Sequence, residues 1–319
     1  MLNSLMRGRF APSPTGFMHL GNAWTALLAW LQVRSSNGIM VLRIEDLDQE
    51  RSRVEYIRQL IFDLKWLGLD WDEGPANGGG YGPYLQSDRQ ALYRDIFADL
   101  MNSDAIYPCF CSRHDLHQAV SAPHGTESSL YPGTCARLTA HLRREKIQAG
   151  ERHCWRFKMP STAINFHDLV YGFQSYCPSD QLDDFIIFRS DGVAAYQLAV
   201  VADDAAMKIS HVLRGADLLS SAARQIALYE ALHLPAPEFA HVPLLLGEDG
   251  HRLSKRHRDI TIVSLRDKGV KAEEIIGWLA FQAKLIDRPF PVRPIELVSG
   301  FTMNKLPKTN LITPTALFF

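Results

Sequence analysis

Arg9-Phe-Ala-Pro-Ser-Pro-Thr-Gly-Phe-Met-His-Leu-Gly-Asn22 carries the strongest signal of architecture in the chain. It continues a short apolar strand, Leu5 to Phe10, crosses a loop stiffened by Pro12 and Pro14, and opens a long apolar helix from about Asn22. A strand, a glycine-containing turn and a helix N-terminus present unpaired backbone N–H groups and the positive end of a helix dipole to an anion. His19, two residues before Gly21, is placed to donate to phosphate oxygens. A plain βα loop with a buried histidine gives the same short pattern, so the context has to decide.

Working outward, Ala23 to Arg34 is apolar on nearly every face, as in a helix buried between a sheet and other elements. Asn37-Gly38 breaks it, and Ile39 to Ile44 reads as a short central strand, which completes a βαβ unit. Ligands of such sheets bind outside the carboxyl ends of the strands. Glu45 follows the second strand there, placed to take an ammonium group, whereas Asp46 and Asp48 read as capping or loop acids. Ser52 to Leu67 has the spacing of an amphipathic helix ended by Gly68, and Ser87 reads as the N-cap of a helix running to about Asn102.

The character then changes. Tyr107-Pro-Cys-Phe-Cys111 places two thiols one residue apart, and Tyr131-Pro-Gly-Thr-Cys135 adds a third. Thiolates at such spacing suit tetrahedral Zn²⁺, although free thiols in a strand give the same Cys-x-Cys pair. The residues leave the fourth ligand open between Tyr131 and the loop histidines His114, His117 and His124. Cys154 and Cys177 read as packed or surface thiols. Apolar runs from Cys154 to Met159 and from Asp183 to Phe188 read as strands, with Tyr171-Gly172 and Pro178-Ser179 as turns. Farther on, Tyr196-Gln-Leu-Ala199 precedes His211-Val-Leu-Arg-Gly-Ala-Asp217, a strand with Arg214 at its carboxyl edge. Gly250-His-Arg-Leu-Ser-Lys-Arg256 is a basic loop, and Ala272 to Leu285 is the clearest helix in a basic, proline-broken C-terminal part.

Together these stretches resemble the class I aminoacyl-tRNA synthetases. His19-Leu-Gly-Asn22 is similar to their "HIGH" signature, with Asn22 in place of the second histidine. Gly250 to Arg256 is similar to "KMSKS", with Arg252 and Leu253 in place of its first Lys and Met. The nearly continuous match from Arg9 to Gly16 resembles the glutamyl branch. The fold this resemblance implies is α/β: a Rossmann-type parallel sheet with an inserted zinc-containing subdomain like the one that grips the tRNA acceptor end, and a short, mostly helical stem-contact region. The expected division is residues 1–103 for the first half of the nucleotide-binding fold and 104–182 for the insertion. Residues 183–258 then form the second half-fold, and 259–319 the helical region.

The resemblance also implies roles. Arg9, Phe10, Ala11, Pro12, Ser13, Glu45, Tyr196 and Arg214 bind L-glutamate, with the arginines on its carboxylates and Glu45 on its ammonium. His19, Gly21, Asn22, Ser254 and Lys255 serve ATP, which is used with Mg²⁺. Cys109, Cys111, Tyr131 and Cys135 match the family's Cys-x-Cys and Tyr-x-x-x-Cys zinc pattern, which favours tyrosine as fourth ligand. Complete glutamyl synthetases continue into an anticodon-binding region, and the expectation here is that none follows. That truncation resembles the glutamyl-queuosine branch of the family, which attaches glutamate to the queuosine base in the anticodon stem-loop of tRNA(Asp). A minimal synthetase charging the tRNA 3′ end and a catalytically silent zinc-containing RNA-binding relative are the alternatives.

Composition agrees without deciding. The 319 residues are 46% hydrophobic and 22% charged, with a formal net charge of −1, so no overall basic surplus announces a nucleic-acid partner. Basic residues are instead concentrated in Arg137 to Lys158 and Arg252 to Lys308. The five cysteines argue against a disulfide framework. No apolar run reaches the roughly 18 residues of a membrane helix, and the N-terminus lacks a signal-peptide pattern. A cytoplasmic monomer without a membrane partner is expected.

Overall fold

The structure is a computed structural model that describes residues 5–112, 131–178, 181–251, 253, 260–314 and 318. At its centre is a parallel sheet in the order β2-β1-β8-β9, built from β1 (Arg7–Phe10), β2 (Ile39–Leu42), β8 (His211–Gly215) and β9 (Glu238–Val242). Two crossover units feed it. Helix α1 (Leu20–Ser35) joins β1 to β2, and α6 (Leu219–Ala231) joins β8 to β9, after α5 (Tyr196–Ala206) has led into β8. The second strand is shorter than its apolar run suggests and lies at the sheet edge, where the sequence suggests a centre. Isolated bridges from Val41 to Glu73 and from Ile44 to Leu85 cover that edge, so the residues are apolar although the strand is not flanked on both sides by ladders.

Helix α1 is buried on nearly all faces because it lies between two apolar layers. Trp24, Leu27, Leu28 and Leu31 share one core with β-sheet residues and with Ile275, Ile276 and Leu279 of the C-terminal helix α8 (Ala272–Gln282). Each such aliphatic side chain contributes about 1.5–3 kcal/mol through burial. The indole of Trp24 donates to the Pro243 carbonyl at 2.9 Å, which satisfies its one polar atom. Gly277 allows α8 to press against the chain beyond it, since a Cβ there would lie 1.9 Å from the Phe290 carbonyl oxygen.

Helix α2 (Val54–Trp66) ends, as its sequence suggests, before Gly68, whose φ is +78°. Ser87 does not cap a helix. Its hydroxyl and N–H both donate to Asp46, at 2.7 and 2.8 Å, and a 3₁₀ turn over Gln86–Arg89 precedes α3 (Gln90–Asn102).

Between α3 and α5 lies the antiparallel insertion. It has a sheet in the order β3-β4-β7, from β3 (Ile106–Cys109), β4 (Cys154–Phe157) and β7 (Phe185–Phe188), with α4 (Ala140–Gln148) and a separate hairpin of β5 (Ile164–Asp168) and β6 (Gly172–Tyr176). The hairpin end docks on the main sheet, where Leu169 N–H donates to the Phe239 carbonyl at 2.9 Å. Short α7 (Ile262–Asp267) leads into α8. Near the C-terminus β10 (Leu245–Leu246) pairs in parallel with β11 (Leu311–Ile312), a strand with no sequence signal. No helix among the described residues is long and apolar enough to cross a membrane.

Candidate active site

The carboxyl ends of β1, β2 and β8 open into a cavity of about 1240 Å³. Strand ends deliver Arg9, Phe10, Glu45 and Arg214 to its wall, the loop after β1 delivers Ala11, Pro12 and Ser13, and the start of α5 delivers Tyr196. His19, Gly21 and Asn22, at the N-terminus of α1, line the same space. Every sequence-chosen amino-acid or nucleotide residue that the structure describes is therefore gathered around one cavity. Ser254 and Lys255 lie outside the described residues.

His19 does more at this turn than offer a donor. It is the N-cap of α1, which begins at Leu20 and not at about Asn22. Its Nδ1 accepts the Asn22 N–H at 3.3 Å, while Asn22 Oδ1 accepts the His19 N–H at 3.2 Å. This reciprocal pair satisfies two backbone donors at a helix start. A neutral ring accepting through Nδ1 carries its proton on Nε2, the nitrogen suited to a phosphate oxygen. Asn22, where the signature has a second histidine, is thus part of the device that orients the first. A Cβ on residue 21 would come within 3.1 Å of the His19 ring, so glycine leaves the ring its place.

Beneath the cavity floor is an ionic network that sequence reading missed. Arg43, fully buried, donates Nη1–H to Asp204 at 2.6 Å and Nη2–H to Glu45 at 3.1 Å. Arg9 Nε lies 3.4 Å from the other Asp204 oxygen. Asp203, equally buried, accepts from Arg89 Nε at 2.5 Å, Tyr93 Oη at 2.9 Å and Gln86 Nε2 at 2.8 Å. Burial pushes the Glu45 carboxyl above its ordinary range, with the nearby Arg43 and Arg9 charges opposing it. Burial also acts on Asp204, but the Arg43 and Arg9 charges outweigh it and hold Asp204 below the ordinary range. Charges buried inside apolar runs were the available signal: Arg43 stands in Met40-Val-Leu-Arg-Ile44, and Asp203-Asp204 in an otherwise apolar helix.

Arg214 is the exception in this network. Its Nε donates to His241 Nε2 at 3.0 Å and its Nη2 to the Leu218 carbonyl at 3.3 Å, both uncharged acceptors. Its Nη1, although buried, has no hydrogen-bond partner among the described residues. Burial lowers its pKa, as expected for a guanidinium without a carboxylate in contact. A buried cation with an unmet donor beside a cavity is arranged to receive an anion.

In the insertion, Cys109, Cys111 and Cys135 come together with their sulfur atoms all within 4.8 Å of one another. Cys111 and Cys135 sulfurs are 3.6 Å apart, and the Tyr131 hydroxyl lies 3.5 Å from Cys109 Sγ while accepting the Cys135 N–H at 2.8 Å. Hydrogen bonds from Cys154 and then Tyr131 hold the Cys109 thiol well below its ordinary pKa, whereas burial pushes the neighbouring Cys111 thiol up to about 12. Three sulfurs and a phenol in one cluster could hold a metal ion. His114, His117 and His124 lie outside the described residues. Cys154 is partly buried, opposite Cys109 on the neighbouring strand, and Cys177 is exposed.

Comparison with known proteins agrees with this geometry. Residues 5–283 match the family model for the catalytic domain of class I tRNA synthetases (E and Q). The chain is 51% identical over 312 residues to the glutamyl-Q tRNA(Asp) synthetase of Symbiobacterium thermophilum, covering 97% of this chain and 96% of that protein. It is 42% identical to glutamate–tRNA ligase 2 of Syntrophus aciditrophicus, covering 96% of this chain but 63% of that one. Among solved structures, a glutamate tRNA ligase from Elizabethkingia meningosepticum in complex with its amino acid superposes with a TM-score of 0.86 at 31% identity, covering 97% of this chain and 67% of that chain.

Proposed function

Because the chain belongs to the class I glutamyl- and glutaminyl-tRNA synthetase family, we propose that it activates L-glutamate with ATP and transfers the glutamyl group to the queuosine base at the anticodon wobble position of tRNA(Asp). The observation that carries the amino-acid half of this reading is Arg214: a buried guanidinium whose partners are neutral and whose Nη1 is unmet, in one cavity with Arg9 and Glu45. The relative from Symbiobacterium thermophilum, matched over nearly its whole length, supports the acceptor half by its name.

In the first step an oxygen of the glutamate α-carboxylate attacks the α-phosphorus of ATP, and the bond to the β-phosphate oxygen breaks to release pyrophosphate. In the second, an RNA hydroxyl attacks the activated carbonyl, loses its proton, and AMP departs. Neither step uses a nucleophile from the protein, so the residues act by positioning and by stabilising charge. Arg9 and Arg214 take the carboxylates, Tyr196 and Ser13 add hydrogen bonds, and Glu45 takes the ammonium. Supplying that positive charge also favours ionised Glu45, which burial alone opposes. His19, through Nε2, and Lys255 hold phosphate oxygens, whereas the N–H groups of Asn22 and Ala23 are already taken by His19. Magnesium, which the family uses with ATP, neutralises phosphate charge when bound.

Glutamine has the shape of glutamate but would leave Arg214 buried without its anion. Losing one partner of such a pair costs about 2–5 kcal/mol, enough for strong discrimination. In the insertion, zinc is assigned to Cys109, Cys111, Cys135 and Tyr131. Tetrahedral Zn–S bonds of about 2.3 Å place sulfurs about 3.8 Å apart, and the spacing of Cys111 and Cys135, 3.6 Å, supports that fit. Basic residues between Arg137 and Lys158 are assigned to RNA phosphates.

The test of the first step is ATP–pyrophosphate exchange without tRNA. Exchange with glutamate and not with glutamine supports the reading, exchange that appears only once tRNA is added favours a minimal synthetase charging the 3′ end, and no exchange with or without tRNA favours an RNA-binding protein without catalysis.

A further inference from the structure

We propose that Asp168 and His241 are positioning residues that set the orientation of the Arg214 guanidinium, and so the selectivity of the pocket for a side-chain carboxylate over an amide. The inference rests on the reading of Arg214 as the carboxylate-binding residue.

The geometry permits one arrangement of protons. Arg214 Nε can only donate, so His241 Nε2, 3.0 Å away, must accept and carry no proton. The imidazole proton then resides on Nδ1, which lies 2.6 Å from Asp168 Oδ2. Asp168 is placed to do nothing but accept. Its Oδ1 takes the N–H groups of Val170 at 3.0 Å and Tyr171 at 2.8 Å, and its Oδ2 takes the His241 N–H at 3.1 Å. Asp168 and His241 are both completely buried, and the hydrogen bonds from His241 and the backbone hold the Asp168 carboxyl below its ordinary range despite burial. Arg214 and His241 are directly opposite each other in the parallel register of β8 and β9. With Nε fixed on His241 and Nη2 on the Leu218 carbonyl, the plane of the fork is determined, and Nη1 is the donor left over.

Asp168 does not belong to the nucleotide-binding sheet. It ends β5 of the inserted hairpin, 73 positions before His241. The insertion therefore contributes a carboxylate that fixes the histidine tautomer, and through it an arginine of the amino-acid pocket.

The test uses the full chain in glutamate-dependent ATP–pyrophosphate exchange, comparing wild type with Asp168→Asn, His241→Leu and His241→Gln. The amide of Asp168→Asn would present an N–H where His241 also donates, and His241→Leu removes the acceptor. Both are expected to raise KM for glutamate at least about tenfold, lower the glutamate-to-glutamine preference, and leave KM for ATP within about twofold. His241→Gln can offer an amide oxygen near the Nε2 position and is expected to restore most of the affinity. Should the first two variants not fold, the tautomer is read in the wild type by ¹⁵N NMR of histidine, which is expected to show Nδ1 protonated and Nε2 bare. A wild type that exchanges with glutamate, alongside folded variants with unchanged KM and preference, overturns the inference alone; so does an Nε2-protonated His241. A wild type without glutamate exchange overturns the reading beneath it.

Discussion

Arg43 Nη1 and Asp204 Oδ1 meet at 2.6 Å beneath the cavity, with neither side chain reaching solvent appreciably. The same guanidinium holds Glu45, and the same carboxylate lies against Arg9, so two pocket residues of opposite charge are fixed through one buried pair. Removing one member leaves the other uncompensated in a low-dielectric setting. Arg43→Met is expected to cost about 3–5 kcal/mol of stability, measured by urea denaturation, with any folded fraction binding glutamate poorly.

Asp204 also gives a pH dependence with a definite sign. Its folded pKa is depressed below the ordinary 3.8 by Arg43 and Arg9, which outweigh burial. The unfolded chain thus binds the proton more readily, and the stabilisation is fully present above the unfolded value. It is lost as pH falls from near 3.8 through the lower folded pKa. Denaturation midpoints of wild type and Asp204→Asn should differ most at neutral pH and converge as pH falls below the lowered folded pKa of Asp204.

Arg214→Lys keeps a positive charge but loses the planar fork that meets both His241 and the Leu218 carbonyl. Glutamate-dependent exchange should fall by about a hundredfold or more in kcat/KM, with ATP binding retained. Unchanged glutamate affinity would remove Arg214 from the pocket.

Protonation of His241 would set a donor against Arg214 Nε. Burial holds its pKa below the ordinary 6.5, with the Arg214 charge acting in the same direction and the Asp168 contact opposing it. The Leu218 backbone adds a smaller opposing contribution, and the Phe239 ring stacks alongside. The sign is that KM for glutamate rises as pH falls through this lowered value, which lies below the ordinary 6.5. A titration of KM in wild type and His241→Gln checks this, since the variant lacks the group.

If the insertion holds zinc, elemental analysis of the purified chain should find about one zinc per molecule, and Cys135→Ser should lower it sharply. Because the cluster lies in the insertion, chelation is expected to weaken RNA transfer more than tRNA-independent exchange.

Three strands of the main sheet, β1, β2 and β8, are legible because the residues at their carboxyl ends carry their own local chemistry, whereas β9 has no such signal. The loop from Arg9 to Asn22, Glu45 after β2 and Arg214 at the end of β8 stand at strand ends, where ligand residues belong. What was not legible depends on contacts between distant residues. Arg43 and Asp203-Asp204 betray themselves as charges within apolar runs, but nothing local says that they meet. Asp168 and His241 are separated by the remainder of the insertion and the second half-fold, and a histidine in an apolar strand has no signature of its partner. The edge position of β2 follows from loop segments bridging to Val41 and Ile44, contacts that its apolar composition cannot distinguish from burial between two strands.

The identity of the acylated RNA group is read by locating labelled glutamate on the RNA. The chain is incubated with ATP, labelled glutamate and tRNA(Asp) with or without queuosine, and nuclease digestion separates the 3′-terminal adenosine from the anticodon fragment. Label is expected in the queuosine-containing anticodon fragment, with none on tRNA lacking queuosine. Label on the 3′ adenosine, independent of queuosine, would contradict that expectation.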